Sequence, residues 1–483
     1  MNIFEKHINF GNIAPLRING ELIYEGEVSD VVSPFSGEVV GRTHTANREH
    51  LVNAVEIAHE FHENNFVEIH DRARILEKAA DGIENNRESF AKILSYESAK
   101  PIKTARIEVD RAIQTFRFSA SVARTFVGEV ISLGAHPSGE NRTAYTLRMP
   151  IGVVAAIAPF NFPLNLVAHK VAPAIAAGCP LVLKPAMNTP LSSAALVDLL
   201  IDECGLPPQM ISYVPCPGAI ASVFTELDEV AMISFTGSPG VGWSIREAAP
   251  KKKVALELGN NAPVIIEPDV DIDKVATSMA QSGYSFQGQS CISVQRIYVH
   301  EKIKKDFVKA FAEKVRDLKV GDPLDESTDV SSLISKSENE RVSDWVKEAV
   351  SSGAKLVTGG NEENGVLTPT ILEDTTSDMK VCANEVFGPV VSVMGYSDFD
   401  EALDQANDTK YGLQAAVFTS NITKALKAAK KLDFGGVCIN ETPTYRADNM
   451  PYGGVRDSGN TKEGPGHTII EMTKERLVII SEA

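Results

Sequence analysis

Gly152-Val153-Val154-Ala155-Ala156-Ile157 places five apolar residues after a glycine, with no polar residue between them. A strand with one wet face alternates apolar and polar side chains, so an unbroken apolar run of this length suits a strand covered on both faces. The stretches downstream continue that reading. A helical pattern covers about 164–177, apolar residues Leu181-Val182-Leu183 form a second short strand, and a helix follows over 191–203. Short strands near 211–214, 230–235 and 254–258 carry on the alternation. Buried strand, short turn and helix in repetition predict a doubly wound parallel sheet. After Glu257 the same grammar restarts, with strands at 263–267 and 294–299, a helix at 301–318, and later strands at 390–394, 415–418 and 436–440. The fold class expected is α/β, with two doubly wound domains.

Upstream, Asn19-Gly20 is the dipeptide of a tight hairpin turn. Three helical stretches follow. The first carries Leu51, Val55, Ala58 and Phe61, and the second Ile75, Leu76, Ala79, Ala80 and Ile83. The third is expected from about Ser98 to about Phe126, with Pro101 in its first turn. Residues 142–150 alternate, setting Tyr145, Leu147 and Met149 on one face of a strand. The apolar Leu477-Val478-Ile479-Ile480 near the end needs a strand edge to pair with.

The chain has 483 residues, about three domains' worth at ~150 residues each. Its 43% hydrophobic and 23% charged content is that of a soluble globular protein. A formal charge of −17 argues against nucleic acid or an anionic membrane as partner, since both call for basic surface. The N-terminus has no signal-peptide core, and the apolar run 171–183 is broken by Pro173 and Pro180, short of the ~18 residues of a membrane helix. The six cysteines include no C-x-x-C pair, and the ten histidines fall in no ligand spacing. The expectation is a cytoplasmic protein without a metal.

Four stretches carry chemistry: Pro159-Phe160-Asn161-Phe162-Pro163, Phe235-Thr236-Gly237-Ser238, Glu257-Leu258-Gly259 and Gly288-Gln289-Ser290-Cys291, followed later by Glu385-Val386-Phe387-Gly388-Pro389. A thiolate is the nucleophilic form of cysteine, although most cysteines are small buried hydrophobes. Two prolines restrict the backbone around Asn161, and a fixed amide in an apolar surround makes an oxyanion donor. Glu257 taken alone reads as a solvated strand-end carboxylate. The glycine-rich turn through Gly242 follows a strand and opens a helix, whose N-terminal N–H groups suit phosphate, although the spacing is not G-x-G-x-x-G.

In this order and spacing the motifs resemble the aldehyde dehydrogenase superfamily over nearly the whole chain. The resemblance implies Cys291 as nucleophile, Asn161 and the Cys291 backbone N–H as oxyanion donors, and Glu257 as the base that activates water. It sets Lys170 near a proton-relay path, where a surface or salt-bridged lysine is the competing reading. NAD or NADP is the implied cofactor. Lys184 would contact the adenosine ribose, Gly237, Ser238, Gly242 and Leu258 would line the cofactor site, and Glu385 and Phe387 would place the nicotinamide. Met187 stands where many NAD-preferring relatives carry glutamate, which leaves NADP permitted, and Asn260-Asn261 departs from the Gly-Lys of relatives. The implied domains are 1–131 with 151–257 for the dinucleotide and 258–460 for catalysis. Residues 132–150 with 461–483 would form a small β oligomerisation arm, giving a homodimer or homotetramer.

The implied activity is NAD(P)-dependent oxidation of a small aldehyde to the acid. A CoA-acylating enzyme and a non-catalytic protein on the same scaffold are the alternatives; retention of Glu257 argues against the first, and retention of both Cys291 and Glu257 against the second. The segment Tyr445-Arg446-Ala447-Asp448-Asn449-Met450-Pro451-Tyr452-Gly453-Gly454 resembles relatives that act on hydroxylated, phosphorylated, phosphonate- or sulfonate-bearing aldehydes. Arg106 and Arg117 lie eleven residues apart, nearly in phase on a helix, and with Arg446 are expected to converge on an anionic or hydroxylated substrate. An i,i+4 surface pair of Arg106 with Asp110 is the alternative.

Overall fold

The computed structural model describes residue 7 and residues 12–481. Val153–Ile157 lies inside a seven-stranded sheet and all five of its residues are buried. The spatial order is Lys253–Glu257, Val230–Thr236, Val153–Ile157, Leu181–Lys184, Ile211–Tyr213, Leu16–Ile18 and Glu21–Ile23. The first five strands are parallel; the last two form the antiparallel hairpin, and Asn19 and Gly20 at its tip both have positive φ. The chain leaves Val153–Ile157 toward one side of the sheet and later returns on the other as Val230–Thr236. That reversal opens a crevice at the carboxyl ends of these two strands, where α/β sheets take ligands.

One apolar core lies between this sheet and the helices Ile69–Asn85, Arg87–Ser98, Ile102–Thr125 and Asn165–Ala177. A second, on the opposite face, is completed by Arg48–Asn64 and the short helix Val223–Glu226. The helix expected from Ser98 is corrected. Arg87–Ser98 is a helix of its own, closed by Ala99 in the left-handed region, and Pro101 is the N-cap of Ile102–Thr125 rather than part of its first turn. The residue before a proline is pushed out of the helical region, which separates the two helices at Lys100.

The second sheet also has seven strands, in the order Lys355–Thr358, Thr370–Glu373, Val390–Tyr396, Val294–His300, Ala262–Ile266, Gln414–Phe418 and Gly436–Ile439, parallel except for the first. Thr473–Ser481 pairs antiparallel with Arg142–Pro150 along its whole length, so the apolar terminus has its edge. In that partner strand Ala144 and Thr146 are buried, whereas Leu147, on the opposite face with Tyr145 and Met149, is 41% exposed. On the paired strand Leu477, Ile479 and Ile480 are exposed as well. Among the described residues no helix is long and apolar enough to cross a membrane, and no group of three or more His, Cys, Asp or Glu is arranged to hold a metal ion.

Candidate active site

Cys291 follows a short turn, Ser285–Gly288, whose last three residues have positive φ. Two of them, Phe286 and Gln287, are not glycine; each such residue costs on the order of 1–3 kcal/mol unless its surroundings fix it. Those surroundings are present. Gln287 Nε2 donates to the carbonyls of Ala99 and Ser332 at 2.9 Å each, and Gln289 Oε1 accepts from the backbone of Ile334. A Cβ on Gly288 would lie 2.2 Å from the Gly388 carbonyl, so only glycine fits there. The loop delivers Cys291 with its sulfur 2.8 Å from the hydroxyl of Tyr452. Burial pushes the thiol up to about 12.

Asn161 is buried in the same neighbourhood, and its Nδ2 donates to the carbonyl of Gln289 at 3.1 Å. Its own carbonyl accepts from Lys100 Nζ at 2.7 Å. Lys100 is fully buried between the rings of Phe162 and Phe286, 4.1 and 4.2 Å from their centroids, and forms an ion pair with Glu108. Glu108 Oε1 in turn accepts from the backbone N–H groups of Leu164 and Asn165, which start the helix Asn165–Ala177. One buried ion pair thus ties the asparagine loop to two helices and to the cysteine turn.

The helix Asn165–Ala177 carries His169 and Lys170 into the interior. Lys170 is 1% exposed, which excludes the surface reading. Its Nζ donates to Thr236 Oγ1 at 2.7 Å and Ser234 Oγ at 3.1 Å, and lies 3.6 Å from Glu463 Oε1. Arg446 pairs with Glu463 at 2.9 Å and lies 3.7 Å above the ring of Tyr452. Glu257 is 4% exposed with neither carboxylate oxygen bonded, so it is no solvated strand end. Burial, then the charge of Glu463, raises the Glu257 carboxyl well above its usual range. Glu463 is buried too, yet Lys170 and Arg446 hold it below that range. Of the two neighbours, Glu463 ionises first as pH rises. Gly453 permits this approach, since a Cβ there would meet Glu257 Oε1 at 2.6 Å.

Cys291 borders two cavities. One, of about 440 Å³, includes Arg111, Phe162, Tyr445, Arg446 and Tyr452 in its wall. The other, of about 460 Å³, is walled by Asn161, Gly237, Ser238, Glu257, Leu258, Glu385, Phe387 and Glu463 among others. A third, of about 510 Å³, lies at the crevice of the first sheet and shares Phe160, Ala186 and Thr236 with the second; Lys184 and Met187 are in its wall.

The second and third cavities together fit a dinucleotide. Ser238, at the N-cap of Pro239–Ala248, makes no side-chain cap, which leaves first-turn N–H groups for phosphate. Lys184 is largely buried, its Nζ donating to the carbonyl of Pro185, and burial lowers its pKa; such an ammonium gains from an added acceptor. At the far end Glu385 Oε1 accepts from the Asn260 backbone at 3.0 Å, and burial pushes its carboxyl up to about 7. Glu385 stands so close to Gly259 that a Cβ there would lie 2.3 Å from its Oε2. Phe387, with positive φ, packs edge to face on Phe160. Gly242 is in the wall of neither cavity; a Cβ on it would strike Leu258 at 2.5 Å, so it serves helix–strand packing.

Two of the three arginines expected at the substrate are elsewhere. Arg106 makes paired bonds to Glu326 and to Glu88 on the surface, and Arg117 pairs with Glu84. The Asp110 alternative fails as well, because Asp110 pairs with Arg87. Arg446 is in place, 5% exposed, its Nε buried without a partner. The helical arginine that does reach the cavity is Arg111, which uses Nε and Nη2 on Asp448; that carboxylate also accepts from Asn165 and lies 2.9 Å from His169 Nε2. His169 and Arg111 hold Asp448 below the ordinary carboxylate range despite its burial. Sequence reasoning missed Arg111, Tyr452, Glu463 and the Lys100–Glu108 pair. For Arg111 a signal existed: Thr104, Glu108 and Arg111 share a helical stripe that Arg106 is not on.

The family described as the aldehyde dehydrogenase family matches residues 24–478. A 3-sulfolactaldehyde dehydrogenase of Priestia megaterium is 44% identical over 467 residues, 96% of this chain and 98% of that protein. Among solved structures, aldehyde dehydrogenase 21 from Physcomitrella patens, in complex with the reaction product succinate, superposes with a TM-score of 0.95 at 37% identity, covering 98% of each chain. The glyceraldehyde-3-phosphate dehydrogenase GapN of Methanocaldococcus jannaschii, complexed with NADP, gives 0.91 at 39% identity, covering 95% of this chain and all of that one.

Proposed function

The chain belongs to the aldehyde dehydrogenase family, as an NAD(P)-dependent aldehyde oxidoreductase, and we propose that it oxidises a small aldehyde bearing a distal anionic group to the carboxylic acid through a thioester on Cys291. The observation that carries this reading is the position of Cys291 at the meeting of the arginine-bearing cavity and the cavity of Glu257, Glu385 and Phe387. A nucleophile between two chambers serves an aldehyde from one and an electron acceptor in the other.

The sulfur loses its proton to solvent through the open cavity and bonds to the aldehyde carbon, whose π pair moves to oxygen. Asn161 Nδ2 and the Cys291 backbone N–H are the donors for that oxyanion. Glu385 and Phe387 would hold the nicotinamide of a bound NAD or NADP beside this carbon, where it would supply the hydride acceptor that turns the adduct into a thioester. Ionised Glu257 then takes a proton from water as the water attacks the thioester; the C–S bond breaks and the sulfur leaves as thiolate. Aldehyde, water and oxidised cofactor become acid, reduced cofactor and one proton. Lys170 and Glu463 stand next to Glu257 as the outlet for its proton.

For the substrate's tail, Arg446 offers a buried Nε–H without a partner, and Arg111 adds positive charge to the same wall. Relatives named for 3-sulfolactaldehyde and glyceraldehyde 3-phosphate, and the succinate complex, accord with a sulfonate, phosphate or carboxylate there. The test is kcat/KM for 3-sulfolactaldehyde, glyceraldehyde 3-phosphate, succinic semialdehyde and propanal with NAD and NADP. Arg446→Ala is expected to raise KM for the anionic aldehydes about tenfold or more, in line with a lost charged hydrogen bond, and to leave KM for propanal unchanged. Parent-like preference for propanal refutes the anionic tail, and turnover by Cys291→Ala refutes the thioester route.

A further inference from the structure

We propose that Tyr452 is a further catalytic residue: its hydroxyl donates a hydrogen bond to Cys291 Sγ, holding the sulfur between the two cavities and stabilising its anion. The proposal rests on Cys291 being the nucleophile.

The contact is 2.8 Å, and Tyr452 is 3% exposed. A phenol hydroxyl this deeply buried requires a partner, and the partner here is the reactive sulfur. Two constraints aim it. The backbone N–H of Tyr452 donates to the carbonyl of Glu463 and that of Glu463 to the carbonyl of Tyr452, so the pair forms a fixed bridge. Glu463 then anchors Arg446, whose guanidinium lies over the Tyr452 ring. A cation on the ring face draws charge from the π system and makes the phenol a stronger donor.

Cys291 needs that donor. Burial opposes its ionisation, Glu385 and Glu257 oppose it further when charged, and Arg446 favours it. The Tyr452 hydroxyl adds a directional donor at the atom where the charge forms. Tyrosine at this position is thus coupled to the arginine cavity, since Arg446 touches both the substrate wall and the ring that activates the thiol.

The test is Tyr452→Phe, which keeps the ring under Arg446 and removes only the hydroxyl. The rate of iodoacetamide alkylation at Cys291, mapped by mass spectrometry because five other cysteines are present, is measured against pH. Loss of a hydrogen bond to a charged acceptor lowers the thiolate fraction by about ten- to a hundredfold. The more basic sulfur regains about half of this on a logarithmic scale. Alkylation is therefore expected to slow about three- to tenfold at each pH below the thiol's pKa. The burst of reduced cofactor slows with it, and the rate after the burst falls as well, because the sulfur leaves the thioester as the same anion. A merely structural role gives the opposite sign, because loosened packing exposes the thiol and speeds its alkylation. Tyr452→His, whose ring N–H can replace the hydroxyl, recovers part of the rate and decides the matter if the Phe variant does not fold. Unchanged or faster alkylation in the folded Phe variant overturns the proposal, as does a His variant that alkylates no faster than a folded Phe variant. A Cys291→Ala enzyme that still turns over would fault the nucleophile instead, a separate outcome.

Discussion

Glu257→Gln separates two things that the buried carboxylate does. In the folded chain the group has no hydrogen-bond partner on either oxygen and stands beside ionised Glu463. Burial and that charge raise its pKa, so the protonated form prevails at low pH and the base form appears only as pH rises. The same shift fixes the stability effect. A carboxyl whose folded pKa exceeds its unfolded value contributes stability that is present at low pH and lost as pH rises through the folded value. Above that value the parent carries an unpaired buried charge and glutamine does not. The variant's Tm should match the parent's in acid and exceed it in alkali, the margin growing from the ordinary carboxylate range up to the raised folded value and holding above it. Catalysis moves the other way. Removing a general base costs about 10²–10⁴ in rate, and the cost falls on thioester hydrolysis. Stopped-flow absorbance should show a burst of about one reduced cofactor per Cys291, then a residual rate without the parent's acid limb. A parent-like steady rate would refute the assignment, and a vanished burst would move Glu257 to the thiol-activation step.

Met187→Glu should shift preference toward NAD mainly by raising KM for NADP, since a carboxylate in the cavity that holds Lys184 repels a 2′-phosphate and accepts from ribose hydroxyls; an unmoved ratio of kcat/KM places Met187 away from the ribose. Lys100→Met leaves Glu108 buried without its cation, and an unpaired buried charge costs about 3–5 kcal/mol. Urea unfolding should show that loss, together with a fall in kcat from displacement of Asn161; a stability change under about 1 kcal/mol contradicts the frame described for the pair.

What was legible in the chain was whatever a local pattern carries. The unbroken run Val153–Ile157 has one physical use, and the turn through Gly237 and the prolines around Asn161 restrict the backbone by themselves. The arginines were misjudged on helical phase. Arg106 lies five residues before Arg111, about 140° around the helix, so the two cannot face one cavity. The better signal was Glu108, a charge set among Ala105, Val109 and Ala112 on the buried face. A carboxylate there needs a partner from another segment, and its neighbours on the same stripe border whatever that face encloses. Arg111 is one such neighbour. The acid–base character of the site has no comparable local mark. Glu257 lies among apolar residues and Glu463 follows Lys462, whose ammonium goes to the Gly453 carbonyl instead, yet the first carboxyl is raised and the second is held low. The difference comes from Lys170 and Arg446, which reach Glu463 from a helix and a loop far apart in the chain, and from the absence of any donor at Glu257. Which carboxylate can serve as base is therefore decided by packing. A sequence motif marks where the base stands, but its basicity is set by the neighbour that takes the cations.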